Sequence, residues 1–123
     1  MSNTQINIYV VKTELLKKRE SDLGNVLNKN AFLLLDALKA ELINLYGGLS
    51  IHAPFKGLWL NEDKKIEEDS NEIWEIFTDK ATFEATTKKL NQIVLCIKSI
   101  TKQKSQLIAI NRDVEAIFIT ENL

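Results

Sequence analysis

The sequence predicts an α+β domain of the ferredoxin-like class, with one antiparallel sheet and two helices packed on a single face. Three observations carry that expectation. Residues 29–46 and 82–102 have apolar side chains at the 3- and 4-residue steps of amphipathic helices. Several other segments alternate apolar and polar residues in the period of a half-buried strand. The order of these segments is strand, helix, strand, strand–strand, helix, strand, which a split β-α-β arrangement satisfies with one sheet. A chain of 123 residues fits one domain. No stretch other than 12–28 resembles a linker, so residues 1–123 read as a single domain.

Residues 5–11 place Ile6, Ile8 and Val10 on one face, with Asn7 and Tyr9 on the other. Residues 12–28 are charged and read as a long connection with a helical turn near Leu15-Leu16. The helix over 29–46 takes Asn28 or Asn30 as its cap and Gly47-Gly48 as its end. Leu34, Leu35, Leu38, Leu42 and Leu45 form its stripe, while Phe32, Leu33 and Ile43 fall outside it. Those three either tuck under neighbouring loops or form a second apolar face for a partner subunit. Residues 48–55 alternate and read as a strand ending near Pro54. Residues 64–69 and 72–77 read as a hairpin turning at Asp69-Ser70-Asn71; in its second strand either Ile73, Glu75 and Phe77 share the buried face or Trp74 and Ile76 do, with Trp74 and Ile76 favoured and the register left open. The helix over 82–102 carries the stripe Phe83, Leu90, Ile93, Val94, Ile97 and Ile100, with Asp79 or Thr82 as cap. Residues 105–119 form either a terminal hairpin or one long strand with a bulge.

Composition narrows the function classes. With 45% hydrophobic and 27% charged residues, the chain has enough apolar material for a core and is no disordered tail. No stretch approaches the ~20 apolar residues of a membrane-spanning helix. One cysteine, Cys96, and one histidine, His52, argue against a disulfide scaffold and against a Cys/His metal site. The first residues lack the pattern of a signal peptide, which together with the lone cysteine favours a cytoplasmic location. Net charge is -1, but it hides a division: residues 61–79 carry eight acids against two lysines, and residues 80–112 carry seven bases against one acid. Hairpin and helix either neutralise one another, stay solvated, or meet across a subunit boundary. A slightly acidic chain with two arginines and no aromatic residues interleaved in its basic helix is a poor nucleic-acid binder.

Candidate chemistry is sparse. His52 is the one side chain whose ordinary pKa lies near neutrality, ~6.5. It shares a strand face with Ser50, but two-residue spacing does not aim a hydroxyl at an imidazole, and no nucleophile elbow surrounds Ser50. Glu67, Glu68 and Asp69 are potential partners of His52 if the hairpin lies alongside, and otherwise form a solvated edge that discourages strand addition. Gly47-Gly48 lacks the following helix of a phosphate cradle. Cys96 lies among apolar neighbours and reads as a buried thiol. Trp59, in a loop after Gly57, either plugs the end of the core or stacks on a ligand.

The segments Gly47-Gly48-Leu49-Ser50-Ile51, Gly57-Leu58-Trp59, Ile66-Glu67-Glu68-Asp69 and Ile73 to Phe77, with Gln106 before Leu107-Ile108, form a pattern. It resembles that of a group of small uncharacterised bacterial proteins of ferredoxin-like fold. Those proteins carry Thr where Ser50 stands, and a Gly after the acidic run. The resemblance covers roughly residues 46–110 and implies a fold but no activity and no cofactor.

These readings favour a small cytoplasmic module that associates with itself and is not an enzyme. One alternative is a small-ligand binder or enzyme with a pocket formed by Ser50, His52, Trp59 and Glu68. Another is a regulatory or mobile-element protein that binds a protein partner through its acidic hairpin.

Overall fold

The computed structural model describes residues 2–17 and 20–115. Its elements are β1 (Ser2–Val11), α1 (Thr13–Leu16), α2 (Asp22–Tyr46), β2 (Ser50–Leu60), β3 (Ile66–Asp79), α3 (Lys80–Ile100) and β4 (Ile108–Glu115). Among the described residues the sheet has four strands in the order β2-β3-β1-β4, and every neighbouring pair is antiparallel. This is the ferredoxin-like arrangement that the element order predicts.

The alternation in β1 and β3 explains the layering. Ile6, Ile8 and Val10 pair across from Ile76, Trp74 and Glu72, and all six are buried. From above, α2 contributes Leu35 and Leu42, and α3 contributes Phe83, Leu90, Ile93, Val94 and Ile97, to the same core. Both helices therefore cover one face of the sheet, and among the described residues no element covers the other. Asp79 caps α3: its carboxylate accepts from the Thr82 amide at 2.7 Å and the Thr82 hydroxyl at 3.0 Å. Those bonds hold its carboxyl below the usual aspartate value.

One ion cluster sits between the layers. Glu72 is 5% exposed. Its carboxylate lies 2.9 Å from Lys12 Nζ and 3.9 Å from Lys39 Nζ, and it accepts from Trp74 Nε1 at 2.8 Å. The lysines lie over rings as well, Lys12 over Phe32 and Lys39 over Trp74.

Several expectations need correction. Helix α2 starts at Asp22, capped by Ser21 Oγ accepting from the Gly24 amide at 3.0 Å, so much of the expected connection is helical. Asn28 is no cap; it is buried, and its side chain donates to the Lys17 carbonyl at 3.0 Å. Leu34 does not belong to the core stripe and is 55% exposed, whereas Phe32, outside the expected stripe, packs on the core. Among the described residues no loop covers Leu33 or Ile43, which are both exposed. Strand β2 does not end at Pro54 but runs to Leu60. The proline falls where the β2–β3 register shifts between His52 and Phe55, a place where an edge strand tolerates a missing N–H.

The hairpin turn lies at residues 61–65, not at Asp69-Ser70-Asn71, which sit inside β3. Asn61 makes that turn: its side-chain oxygen accepts from the Asp63 and Lys65 amides at 2.9 and 3.0 Å. Over Ile108–Glu115 the last segment is one bulged strand that runs straight through Asn111-Arg112-Asp113. β4 pairs with β1 and the register shifts between Asn3 and Gln5, beside Asp113 at φ 57. Residues 116–119 of that expectation lie outside the described residues. Cys96 is exposed, because Ile93, Val94 and Ile97 take the buried side of α3 and leave position 96 facing out.

Candidate functional site

Two places gather polar side chains away from the core. The first crosses the open sheet face. The register sets Gln5 opposite Asn111 and Phe77, Glu75 opposite Asn7 and Ser50, and His52 opposite Ile73, so Asn111, Gln5, Glu75 and His52, one from each strand, share this face and meet along its diagonals. Asn111 Nδ2 donates to Gln5 Oε1 at 2.9 Å, Gln5 Nε2 donates to Glu75 Oε2 at 2.6 Å, and Glu75 Oε1 lies 3.3 Å from His52 Nε2. His52 thus pairs with Glu75 rather than with Glu67, Glu68 or Asp69. Ser50 is opposite Glu75 in the ladder and exposed.

The second place is created by unequal strand lengths. Pairing of β1 with β3 stops at Val11 and Asn71, while β2 and β3 continue together to Leu60 and Ile66. The segments 56–60 and 66–70 therefore form a two-stranded ribbon with no third strand among the described residues. Helix α1 props its base: Thr13 Oγ1 donates to Asp69 Oδ1 at 2.9 Å and accepts from the Ser70 amide at 2.9 Å. Gly57 lets the Asn71 amide pack against this base, where a Cβ would lie 2.8 Å from Asn71 Nδ2 and the amide would have to shift.

Opposite pairs sort the ribbon into two faces. Gly57 with Asp69 and Trp59 with Glu67 continue the face that carries His52 and Glu75. Leu58 with Glu68 and Leu60 with Ile66 lie on the other. The apolar members are strongly exposed: Leu58 65%, Trp59 47%, Leu60 62% and Ile66 69%. Trp59 therefore does not plug the core. It lines a cleft of about 700 Å³ together with Thr13, Glu14, Lys17, the acidic run 67–69 and the loop Lys102 to Ser105. A second cleft, of about 500 Å³, lies between α1 and the ribbon and includes Leu16, Pro54, Lys56 and Glu68.

Of the four residues expected to form a pocket, the structure brings Trp59 and Glu68 to one cleft. Ser50 and His52 lie on the open sheet face, seven to nine residues back along β2, roughly 20 Å or more at strand spacing. Glu68 pairs with Lys56 at 3.6 Å in solvent. Sequence reasoning missed Gln5, Glu75 and Asn111. The alternation in β1 already put Gln5 opposite the apolar face, but the partners depend on register. Lys102 and Lys104 face the acidic run across the larger cleft. Among the described residues no direct ion pair joins the acids of 61–79 to the bases of 80–112. Among the described residues no three His, Cys, Asp or Glu side chains are placed to hold a metal ion.

Fold and layering define a ferredoxin-like α+β protein. Known structures of that class resemble it along most of its length. A phage SAM lyase in complex with S-methyl-5'-thioadenosine superimposes with a TM-score of 0.56 at 15% identity, covering 90% of this chain and 81% of that one. The divalent ion tolerance protein CutA1 from Ehrlichia chaffeensis gives 0.53 at 13% identity, covering 94% and 84%. CutA1 from Oryza sativa gives 0.52 at 12% identity, covering 95% and 84%. At such identities the likeness is one of fold. No protein-family model and no curated protein matches the chain.

Proposed function

We propose that this chain is a self-associating module whose β2–β3 ribbon is the coupling arm. The observation that carries the reading is the ribbon itself, with Leu58, Leu60 and Ile66 exposed on one face and Trp59 on the other. A two-stranded ribbon alone is marginally stable in water. Four large apolar side chains at its tip form the kind of patch that marks a contact surface. Another copy covers that patch, head to tail, and repetition of the same contact closes a ring. Light scattering tests it: the protein runs as a multiple of its 14.0 kDa chain mass, and Leu58→Asp with Leu60→Asp reduces that particle. A 14.0 kDa particle for the unaltered protein at high concentration rejects the ribbon as a coupling arm.

A second reading is favoured by the larger cleft. An indole beside carboxylates attracts an onium cation through its ring face and the acids through charge. Trp59 with Glu67 and Asp69 supplies both, and Lys17, Lys102 and Lys104 suit a carboxylate on the same molecule. An adenosine sulfonium carrying an amino acid has this chemistry, and the phage SAM lyase of similar fold holds the related S-methyl-5'-thioadenosine. Titration calorimetry with S-adenosylmethionine tests it, and binding is lost in Trp59→Ala. Absence of heat for the unaltered protein at millimolar ligand removes this reading and leaves the ribbon reading untouched.

A further inference from the structure

The outward side of α2 carries a second pattern that neither the core nor the ribbon uses. Leu23, Val26, Asn30, Leu33, Ala37 and Ala40 recur at steps of three and four, and all six are exposed. Their direction is opposite to Asn28, Leu35 and Leu42, which recur every seven residues and are all buried. This is the a/d seam of a coiled coil drawn on the solvent side of a helix whose other side is already packed. Leu23, Val26 and Leu33 are 68%, 52% and 59% exposed. Leu34 and Ala37 lead from the seam into an apolar groove of about 550 Å³ whose far wall is Leu95 of α3.

We infer that this seam pairs with the α2 seam of a second copy, antiparallel, about a two-fold axis near residues 31–32. The residues of the seam choose their own partner. Antiparallel pairing sets Leu23 against Ala40 and Val26 against Ala37 of the other copy, large against small, at an even separation along the helices. Lys29 and Asp36 flank the same side, so each lysine meets the other copy's Asp36, an exposed carboxylate that its own Lys39 also approaches at 3.3 Å. Leu27 meets Leu34 on the opposite flank. The same register sets Asn30 against Leu33 of the other copy and leaves the two Asn30 amides about one turn apart across the axis, within reach of one another. Parallel pairing does worse on both counts. It sets Asp36 beside Glu41 of the other copy, and it stacks Ala37 and Ala40 on themselves while the leucines crowd the other end.

The size is sufficient. Eighteen residues span about 27 Å of helix, and two such helices about 10 Å thick bury on the order of 1,000 Å² in total, the lower bound for a specific contact. This contact is two-fold and lies on the helix layer. It is therefore independent of the ribbon, and joined to a ribbon ring it produces two rings back to back.

The experiment uses the full chain with Cys96→Ser and the ribbon pair Leu58→Asp/Leu60→Asp, so that ribbon contacts do not report. Sedimentation then finds a two-chain particle. Leu33→Glu raises its dissociation constant by at least ~100-fold. Lys29→Asp alone raises it about tenfold, and Lys29→Asp with Asp36→Lys restores it. Mixed Val26→Cys and Ala37→Cys proteins form a disulfide under mild oxidation, whereas Val26→Cys alone does not. Circular dichroism of each variant guards against loss of folding, since all altered helix positions are exposed. Single chains at millimolar concentration overturn the inference, as does a dimer indifferent to Leu33→Glu. Failure of the charge swap to restore binding, or self-linking of Val26→Cys, overturns the antiparallel pairing.

Discussion

Replacing Glu72 by Gln keeps the shape of the side chain and removes one charge from the layer between sheet and helices. The consequence follows from its neighbours. Lys12 Nζ lies 2.9 Å away with 18% of its side chain exposed, and Lys39 Nζ lies 3.9 Å away with 23% exposed. Glutamine oxygen still accepts from Trp74 Nε1, so that bond survives. Both ammonium groups, however, then face each other and the core without an anion. Breaking a fully buried pair costs about 3–5 kcal/mol, and the partial exposure of the lysines lets water recover some of it, leaving roughly 2–3 kcal/mol. At this chain length that corresponds to a fall in Tm of roughly 10 °C. Lys12→Met in the Glu72→Gln background then costs less than Lys12→Met alone, by about 1–2 kcal/mol of coupling. Urea and thermal unfolding at neutral pH measure all four proteins. A loss below about 0.5 kcal/mol for Glu72→Gln, or additive effects of the two changes, refutes the claim that this cluster holds α2 to the sheet.

Three other outcomes follow from the same geometry. The Asp79 carboxyl is held below its usual value, first by the Thr82 amide and then by the Thr82 hydroxyl. Its contribution is therefore present above the unfolded aspartate value of ~3.9 and is lost as pH falls through the lower folded value. Asp79→Asn keeps a cap without titrating, so the gap in urea midpoint between the two proteins narrows on acidification below pH ~4, and a gap constant with pH rejects this account. Gly57→Ala pushes a methyl group onto the Asn71 amide and lowers stability by about 1–2 kcal/mol, and Asn71→Ala added to it recovers most of the loss in a thermal melt. Trp74 is fully buried and Trp59 is 47% exposed, so in Trp59→Phe the remaining emission is blue and resists acrylamide. In the unaltered protein, dilution shifts emission to the red as the ribbon is uncovered, and spectra independent of concentration across the assembly range count against burial of Trp59 on association.

What the sequence alone determined was decided by short-range periodicity. Ile6, Ile8 and Val10 announced a half-buried strand and the stripe from Phe83 to Ile97 marked a helix, because two-residue and 3.6-residue repeats report burial directly, whereas the choice between the Trp74–Ile76 face and the Ile73–Glu75–Phe77 face of β3 fell to the register with β1. Gly47 stopped α2 for an equally local reason, a left-handed φ of 83°. From those elements and their order the ferredoxin-like class follows. Tertiary structure alone decided where strands end and which polar residues meet. Asp69-Ser70-Asn71 has the composition of a turn, yet pairing with β2 carries it straight through, since a ladder of hydrogen bonds outweighs weak turn preferences. Asn111, Gln5, Glu75 and His52 come from four strands spread over more than a hundred residues, and only register aligns them. The early start of α2 was hidden because Leu23, Val26 and Leu27 point away from the core, so the apolar period that signals burial belongs there to a different surface.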